Sequence, residues 1–204
     1  MPTNGLARRR KDYYYREAKR EEYRSRASFK ILQAVKRYGF IGLGDVVVDL
    51  GAAPGGWLQI ARKIVGEKGF VLGVDIHKIE PLGYPNVYAI VGDIRDPEIA
   101  TRIKAILPRS ADAVISDVSP NVSGIWEVDH ARQVELAECS LQIATRILEV
   151  NGHFFVKVFQ GEMFNQYLND VRKLFSIVKV VKPRASRKES AEIYILGLYY
   201  TSSQ

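Results

Sequence analysis

An α/β fold built on a mostly parallel seven-stranded sheet, with helices on both faces and an antiparallel last strand, is what this sequence predicts. Three observations predict it. From Asp45 onward, apolar runs of strand length alternate with segments of helical period, the pattern of strand–helix–strand units. The runs "VVVDL" and "AVIS" are almost continuously apolar, which suits strands covered on both faces. The last two strand-like runs are joined by a short link, which favours antiparallel pairing.

Each element has a local reason. Residues 1–24 read as a basic N-terminal arm, in which 13–24 can form a charged helix carrying Tyr13, Tyr14, Tyr15 and Tyr23. "SRASFKILQAVKRYG" reads as an amphipathic helix with Phe29, Ile31, Leu32 and Val35 on its apolar face. Ser25 or Ser28 is its candidate cap and Gly39 its stop. "VVVDLG" is a strand and "GWLQIARKIVG" a helix ended by Gly66. "GFVLGVDI" and "NVYAIVGDI" are the second and third strands. "DPEIATRIKAIL" is a helix with Asp96 as cap and Pro97 in its first turn. "ADAVISDVS" is a strand, "DHARQVELAECSLQIATRILEV" a long helix and "GHFFVKVF" a strand. "MFNQYLNDVRKLF" is a helix, and "SIVKVVKP" and "AEIYILGLYY" are the final strands. No repeat, low-complexity tract or linker divides the rest of the chain, so residues 25–204 read as one domain.

Composition narrows the class. With 204 residues, 47% hydrophobic and 26% charged, the chain has material for a sizeable core and an ordinary soluble surface. No apolar run approaches the roughly 18 residues of a membrane span. The charged start lacks the apolar segment of a secretory signal. Cys139 is alone, so no internal disulfide forms, and a reducing, cytoplasmic compartment is expected. Its plain reading is a small buried residue on a helix. His77, His130 and His153 have no ligand spacing to one another or to Cys139, so no metal is expected; His153 reads as a strand-entry residue and the others as surface.

The net charge of +7 is unevenly spread. Residues 1–37 hold 12 Lys and Arg against 4 Asp and Glu, whereas the remainder holds 18 against 19. A basic excess confined to one segment points to a polyanionic partner, most simply nucleic acid. The alternative is a solvated helix in which Glu17, Glu21 and Glu22 pair locally with Arg16, Lys19 and Arg20.

The strand ends carry the cofactor argument. Asp49, Asp75, Asp93 and Asp117 each close an apolar run, where open parallel sheets bind ligands. A single such acid is often a turn former, but four at successive strand ends suggest a pocket. "GAAPGGW" lacks the G-x-G-x-x-G spacing of dinucleotide sites, and a pyrophosphate would meet unfavourable negative charge. The same charge favours a cofactor with a positive centre, such as the sulfonium of S-adenosylmethionine. Its ribose and adenine could be held by the acids, with Asp75 placed for the ribose. The glycines allow close backbone approach. Trp57 reads either as helix–sheet packing or as a wall of this pocket.

Five segments, "SRASFKI", "DLGAAPGGW", "ISDVSPNVSG", "FVKVFQG" and "KPRASRKESAEIY", closely resemble the RrmJ/FtsJ family of RNA ribose 2′-O-methyltransferases. The match runs in order from about Ser25 to Tyr200. The resemblance implies a Rossmann-like S-adenosylmethionine-dependent methyltransferase fold, with 25–204 as the single methyltransferase domain. It implies a tetrad on Lys30, Asp117, Lys157 and Glu192. It places the cofactor against Gly51, Ala52, Pro54, Gly55, Gly56, Trp57, Asp75, Asp93 and Asp117. The chain looks most like the branch that modifies a uridine of large-subunit ribosomal RNA. The implied partner is that RNA or the large ribosomal subunit, with the enzyme expected to be a monomer.

The chemistry follows from the residue types. A ribose 2′-hydroxyl is a poor nucleophile, and a lysine can take its proton only when neutral. Lys157 interrupts the apolar "HFFVKVF", where burial and a nearby Lys30 would favour the neutral form. Lys157 is therefore the expected proton acceptor, with Lys30, Asp117 and Glu192 positioning it and the substrate for in-line attack on the sulfonium methyl. Arg8, Arg9, Arg10, Lys11, Arg16, Lys19, Arg20, Arg24 and Arg26, with Lys182, Arg184, Arg187 and Lys188, are candidate phosphate contacts. Tyr13, Tyr14 and Tyr15 could stack on unpaired bases or pack the helix onto the domain. Rival readings are the same chemistry on transfer RNA or an mRNA cap, a non-catalytic RNA-binding protein that binds S-adenosylmethionine, and a nicotinamide-dependent oxidoreductase.

Overall fold

The computed structural model describes residues 13–187 and 189–201. Helix α1 occupies 13–20 and α2 Ser28–Tyr38, before strand β1, Val46–Leu50. Then follow α3 (Gly56–Val65), β2 (Phe70–Asp75), β3 (Val87–Val91), α4 (Ile99–Lys104), β4 (Ala111–Ser116), α5 (Trp126–Ile147), β5 (Leu148–Phe159), α6 (Phe164–Leu174), β6 (Phe175–Val181) and β7 (Glu192–Tyr200). They form a seven-stranded sheet in the order β3-β2-β1-β4-β5-β7-β6. Only β7 runs against its neighbours, inserted between β5 and β6. The expected fold class is the observed one.

Alternation along the strands assigns the two faces. Val46, Val48 and Leu50 of β1 join the core under α4, α5 and α6. Val47 joins the core under α2 and α3, with Ile31, Ile60 and Phe155. Side chains of a strand alternate, so Asp49 shares this second face with Val47. The order of connections reverses beside β1, where β2 and β4 flank it on opposite sides. Such a switch point leaves a crevice at the carboxyl ends of the strands.

Several boundaries differ from the sequence reading. The long helix ends at Ile147 rather than Val150, because Leu148 turns extended and pairs with Ala111 of β4. Strand pairing there overrides helical period. α4 is shorter than the pattern 96–107; the Asp96 carboxylate still accepts the Glu98 N–H at 3.0 Å and orders its first turn. Gly39 ends α2 in the left-handed conformation, as read, and its N–H donates to Val35. Neither serine caps α2: Ser28 is buried and its hydroxyl donates to the Gly56 carbonyl at 3.0 Å. His130 is a buried residue rather than a surface one.

Candidate active site

The turn after β1 is shaped by glycines that nothing larger can replace. Gly51 has φ +77°, and a Cβ there would lie 2.8 Å from the Cα and Cβ of Val118. Gly55 has φ +106° at the start of α3. A Cβ on Gly56 would lie 2.6 Å from both the Ser25 and Ser28 hydroxyl oxygens. Gly51→Ala is expected to cost at least about 1 kcal/mol from its left-handed backbone alone. The overlap with Val118 adds to this, and urea unfolding would measure the sum. A variant as stable as the wild type would show that the Val118 loop and this turn are not in contact.

An open cavity of about 610 Å³ lies at the strand ends. It is lined by Gly51 and Ala53 after β1, Asp75 and Ile76 at β2, Gly92 and Asp93 after β3, and Asp117 to Asn121 after β4. Four acids line it, Asp75, Asp93, Asp117 and Glu135, against two arginines, Arg95 and Arg132. The Asp75 carboxylate accepts the N–H groups of Ala53 at 2.9 Å and His77 at 2.8 Å, which ties two strand-end loops together. Asp93 is paired with Arg95 at 2.6 Å. Hydrogen bonding to Arg95 holds its carboxyl below the usual range against the opposing effect of burial.

The predicted cofactor residues divide here. Gly51, Asp75, Asp93 and Asp117 line the cavity, whereas Ala52, Pro54, Gly55, Gly56 and Trp57 do not. Trp57 is 4% exposed, its indole N–H donates to the Ala27 carbonyl at 2.8 Å, and its ring packs beside Phe155. Its side chain is a brace between the start of α2, α3 and the sheet.

The four tetrad residues converge at one edge of this cavity, on the α2 face of the sheet. Lys157 is 4% exposed on β5. Its ammonium donates to the Asp117 carbonyl oxygen at 2.7 Å and to Ser119 Oγ, and Asp117 Oδ1 lies at 3.2 Å. Three acceptors around one Nζ match the three N–H groups of an ammonium ion. The sequence reading set Lys30, Asp117 and Glu192 to position Lys157 and the substrate; the structure brings an Asp117 carboxylate oxygen directly to Lys157. Lys30 reaches across from α2, 2.8 Å from Glu192 Oε2 and 3.4 Å from Asp117 Oδ2. Asp117 thus bridges both lysines. Burial alone would raise its carboxyl, but Lys157 and Lys30, with a hydrogen bond from Tyr194, bring it below the usual range.

Three contributors to this site were not singled out in the sequence. The Tyr194 hydroxyl donates to Asp117 Oδ1 at 2.6 Å, and its ring lies under Lys30 at 5.6 Å. Burial, then Asp117 and Glu192, raise its phenol well above the ordinary value and keep it a donor. Ser186 donates to Glu192 Oε1 at 2.8 Å, and Ser119 holds Lys157. Tyr194 was legible in principle, since it lies two residues after Glu192 and so on the same face of β7.

Asp49 sits beneath the cluster, 1% exposed, with neither carboxylate oxygen hydrogen-bonded. Burial, then the charges of Asp117 and Asp75, push its carboxyl well above the ordinary range. A carboxyl raised on folding binds more protons folded than unfolded. The folded state is therefore penalised increasingly as pH climbs above the ordinary carboxylate range. Asp49→Asn removes that penalty. The variant is expected to melt above the wild type near about pH 8 and to converge with it near about pH 4. The gap should grow by up to about 1.4 kcal/mol per pH unit until the folded carboxyl ionises. A gap independent of pH would mean that Asp49 is already ionised or paired.

The predicted nucleic-acid contacts also divide. Arg8, Arg9, Arg10, Lys11 and Lys188 lie outside the described residues. Arg24 donates to the carbonyls of Pro54, Glu80 and Pro81, so its guanidinium braces the glycine turn. Arg26 donates to the Ala185 carbonyl at 2.8 Å and ties the segment just before α2 to the 182–187 loop. Lys182 donates to Ser190, while Arg184 and Arg187 are exposed. Tyr14 packs on Phe29 at 5.4 Å, and Tyr13 and Tyr15 are exposed. Among the described residues no group of three or more His, Cys, Asp or Glu converges as metal ligands, and no helix is long and apolar enough to cross a membrane.

A switch-point cavity lined by acids beside a buried lysine–acid cluster fits the class that the sequence resemblance implies, the S-adenosylmethionine-dependent methyltransferases. The chain belongs to the FtsJ-like methyltransferase family, whose sequence profile matches residues 23–200. It is 48% identical over 202 residues to "Ribosomal RNA large subunit methyltransferase E" of Methanocaldococcus jannaschii, covering 98% of this chain and 82% of that one. The protein of the same name from Methanothrix thermoacetophila is 53% identical over 192 residues, 94% of this chain and 74% of the relative. Among solved structures, a ribosomal RNA methyltransferase from Plasmodium falciparum superposes with a TM-score of 0.78 at 25% identity, covering 89% of this chain and 100% of that one. Aeropyrum pernix fibrillarin, solved with natively bound S-adenosyl-L-methionine, shares the fold, with a TM-score of 0.62 at 18% identity over 86% of this chain and 75% of that one. The chain is therefore an S-adenosylmethionine-dependent methyltransferase.

The cavity fits that cofactor. Its volume lies in the range of small-molecule sites, and its surplus of acids suits a cationic centre. Asp75 and Asp93 stand at successive strand ends, where ribose hydroxyls can donate to them. The crowding at Gly51 leaves room only for backbone on that side.

Proposed function

We propose that the chain methylates the 2′-hydroxyl of a uridine ribose in large-subunit ribosomal RNA, free or in the assembled subunit. The observation that carries this reading is the convergence of Lys157, Asp117, Lys30 and Glu192 at the edge of the acid-lined cavity. The names of the relatives support the choice of RNA. When bound, S-adenosylmethionine supplies an electrophilic methyl group. The ammonium of Lys157 first gives up a proton to solvent and then, as the free amine, accepts the proton of the 2′-hydroxyl. Asp117 fixes Lys157 from one side and Lys30 from the other, and Glu192 completes the hold on Lys30. Tyr194 donates to the Asp117 oxygen nearest Lys157, which moderates the pull of that carboxylate on the lysine.

In this reading Gly51, Asp75, Asp93 and Asp117 hold the cofactor with their cavity-facing groups, and Ala52 to Trp57 hold it only through backbone or by shaping the turn. Arg184 and Arg187 meet RNA phosphate, with the 1–24 arm adding to them, and Arg24 and Arg26 act as braces instead. Every tetrad residue comes from one chain, so a monomer acting in the cytoplasm suffices. The test is methyl transfer from labelled S-adenosylmethionine to large ribosomal subunits, naked ribosomal RNA and bulk transfer RNA. The product is mapped by the resistance of its phosphodiester to alkali. Label in the subunit or its RNA at an alkali-resistant uridine is the expected result. Label only in transfer RNA would move the substrate, and label on a base would overturn the chemistry.

A further inference from the structure

The loop leaving β4 begins with Asp117 and ends at Trp126, the first residue of α5. Trp126 is 44% exposed, unlike the buried Trp57. Its ring lies nearly parallel to that of His130, 5.5 Å between centroids at 15°, and to that of Phe159, 6.1 Å at 20°. The stack is held from behind. His130 Nε2 accepts the Met163 N–H at 3.1 Å, and the Gly161 backbone lies so close that a Cβ would sit 2.7 Å from the imidazole. The loop is pinned as well: the Asp129 carboxylate accepts the N–H and O–H of Ser123, both at 2.7 Å, and the Gly124 N–H at 3.1 Å. A rigid aromatic surface therefore faces outward, flanked by exposed Ile125 and Val122.

Its position matters more than its exposure. Phe159 lies two residues beyond Lys157 on β5 and pairs with Glu192 across the sheet. Two strand residues span about 7 Å. The stack thus begins within a nucleotide's reach of the tetrad, at the carboxyl end of β5, where open parallel sheets bind ligands. Every base has a π-face, and aromatic platforms hold unpaired bases without reading their hydrogen-bonding edges.

We propose that Trp126, backed by His130 and Phe159, is the stacking platform for an unpaired RNA base adjacent to the ribose that is methylated. This rests on the reading above that the acceptor is RNA. Steady-state transfer to the accepted RNA should be compared for wild type, Trp126→Ala and Trp126→Phe, with S-adenosylmethionine binding and melting temperature measured in parallel. Trp126→Ala is expected to raise KM for RNA by about fivefold to 150-fold, with kcat and cofactor affinity little changed. Trp126→Phe should recover most of the loss. Independently, a short unpaired RNA should quench a solvent-accessible part of the tryptophan emission in wild type but not in Trp126→Phe. An unchanged KM in Trp126→Ala would overturn the proposal. So would a loss that Phe does not rescue and that accompanies a lower melting temperature, since it would mark a purely structural residue. Concentration-dependent self-association abolished by Trp126→Ala would also overturn it, assigning the face to a second copy of the chain. Should the wild type methylate no RNA at all, it is the functional reading that fails. The quenching then decides the platform alone: RNA-dependent quenching upholds base stacking, and its absence overturns it.

Discussion

Lys157→Ala is expected to lower methyl transfer by about a hundredfold to ten-thousandfold, the range that general bases contribute, while S-adenosylmethionine binding survives. Lys157 is not among the residues that line the cavity, so binding should report an intact pocket. The Ala variant removes a base and a charge together, and Lys157→Arg separates the two. Arginine keeps the cation and cannot be deprotonated in a protein, so it cannot accept a proton. If Lys157 acts as the base, Arg is as inactive as Ala. Substantial activity in the Arg variant would show that position 157 works by electrostatics alone and would remove the proton-transfer step from the mechanism. Single-turnover rates with saturating cofactor and RNA are the appropriate measure, because they isolate the chemical step.

Asp117→Asn is the second large effect, and it should appear in stability as well as rate. The carboxylate serves two buried ammonium groups at once, at 3.2 Å from Lys157 and 3.4 Å from Lys30. Removing one partner from a buried ion pair costs about 3–5 kcal/mol, because the remaining charge has lost its compensation. Lys30 keeps Glu192, and Lys157 keeps the Asp117 carbonyl and Ser119. The low end of that range is therefore expected. Asp117 is held below its ordinary range on folding, so its stabilising contribution is complete at neutral pH. That contribution disappears as pH falls through the folded value. Wild type and variant should therefore differ most near neutrality and approach each other in acid; Asp49→Asn also converges with wild type in acid, but there the variant is the more stable of the two. Equal unfolding free energies at about pH 7 would contradict the bridging role. Methyl transfer should fall by at least about a hundredfold, since both lysines lose the group that orients them.

The contrast between Asp49 and Asp117 shows how far a sequence can be read. Both end apolar strand runs and both lie on the α2 face. One is surrounded by hydrocarbon and other acids, whereas the other meets two lysines and a tyrosine. That difference arises from α2, β5 and β7, segments far away along the chain. The same holds for arginines: Arg24 and Arg184 look alike in a basic sequence, yet Arg24 is committed to three carbonyls of the glycine turn and its neighbouring loop, and Arg184 is exposed.

By itself the sequence determined what local chemistry determines. Hydrophobic period set the strands and helices, and the absence of a helical segment between the last two strands favoured an antiparallel pair. Glycines at Gly51, Gly55 and Gly39 marked turns that need positive φ. The motifs around Lys30, Asp117, Lys157 and Glu192 marked a candidate set of reactive residues and pointed to the family. Only the tertiary structure decided the roles that depend on distance. It turned Ser28 from a cap into a tie to Gly56, set Trp57 against Phe155 rather than in the cavity wall, and buried His130 behind Trp126. It also brought Tyr194 onto Asp117. The physical reason is common to all of them. A side chain's hydrogen-bond partner, burial and charge environment come from residues placed beside it by packing, and one-dimensional spacing does not carry that information.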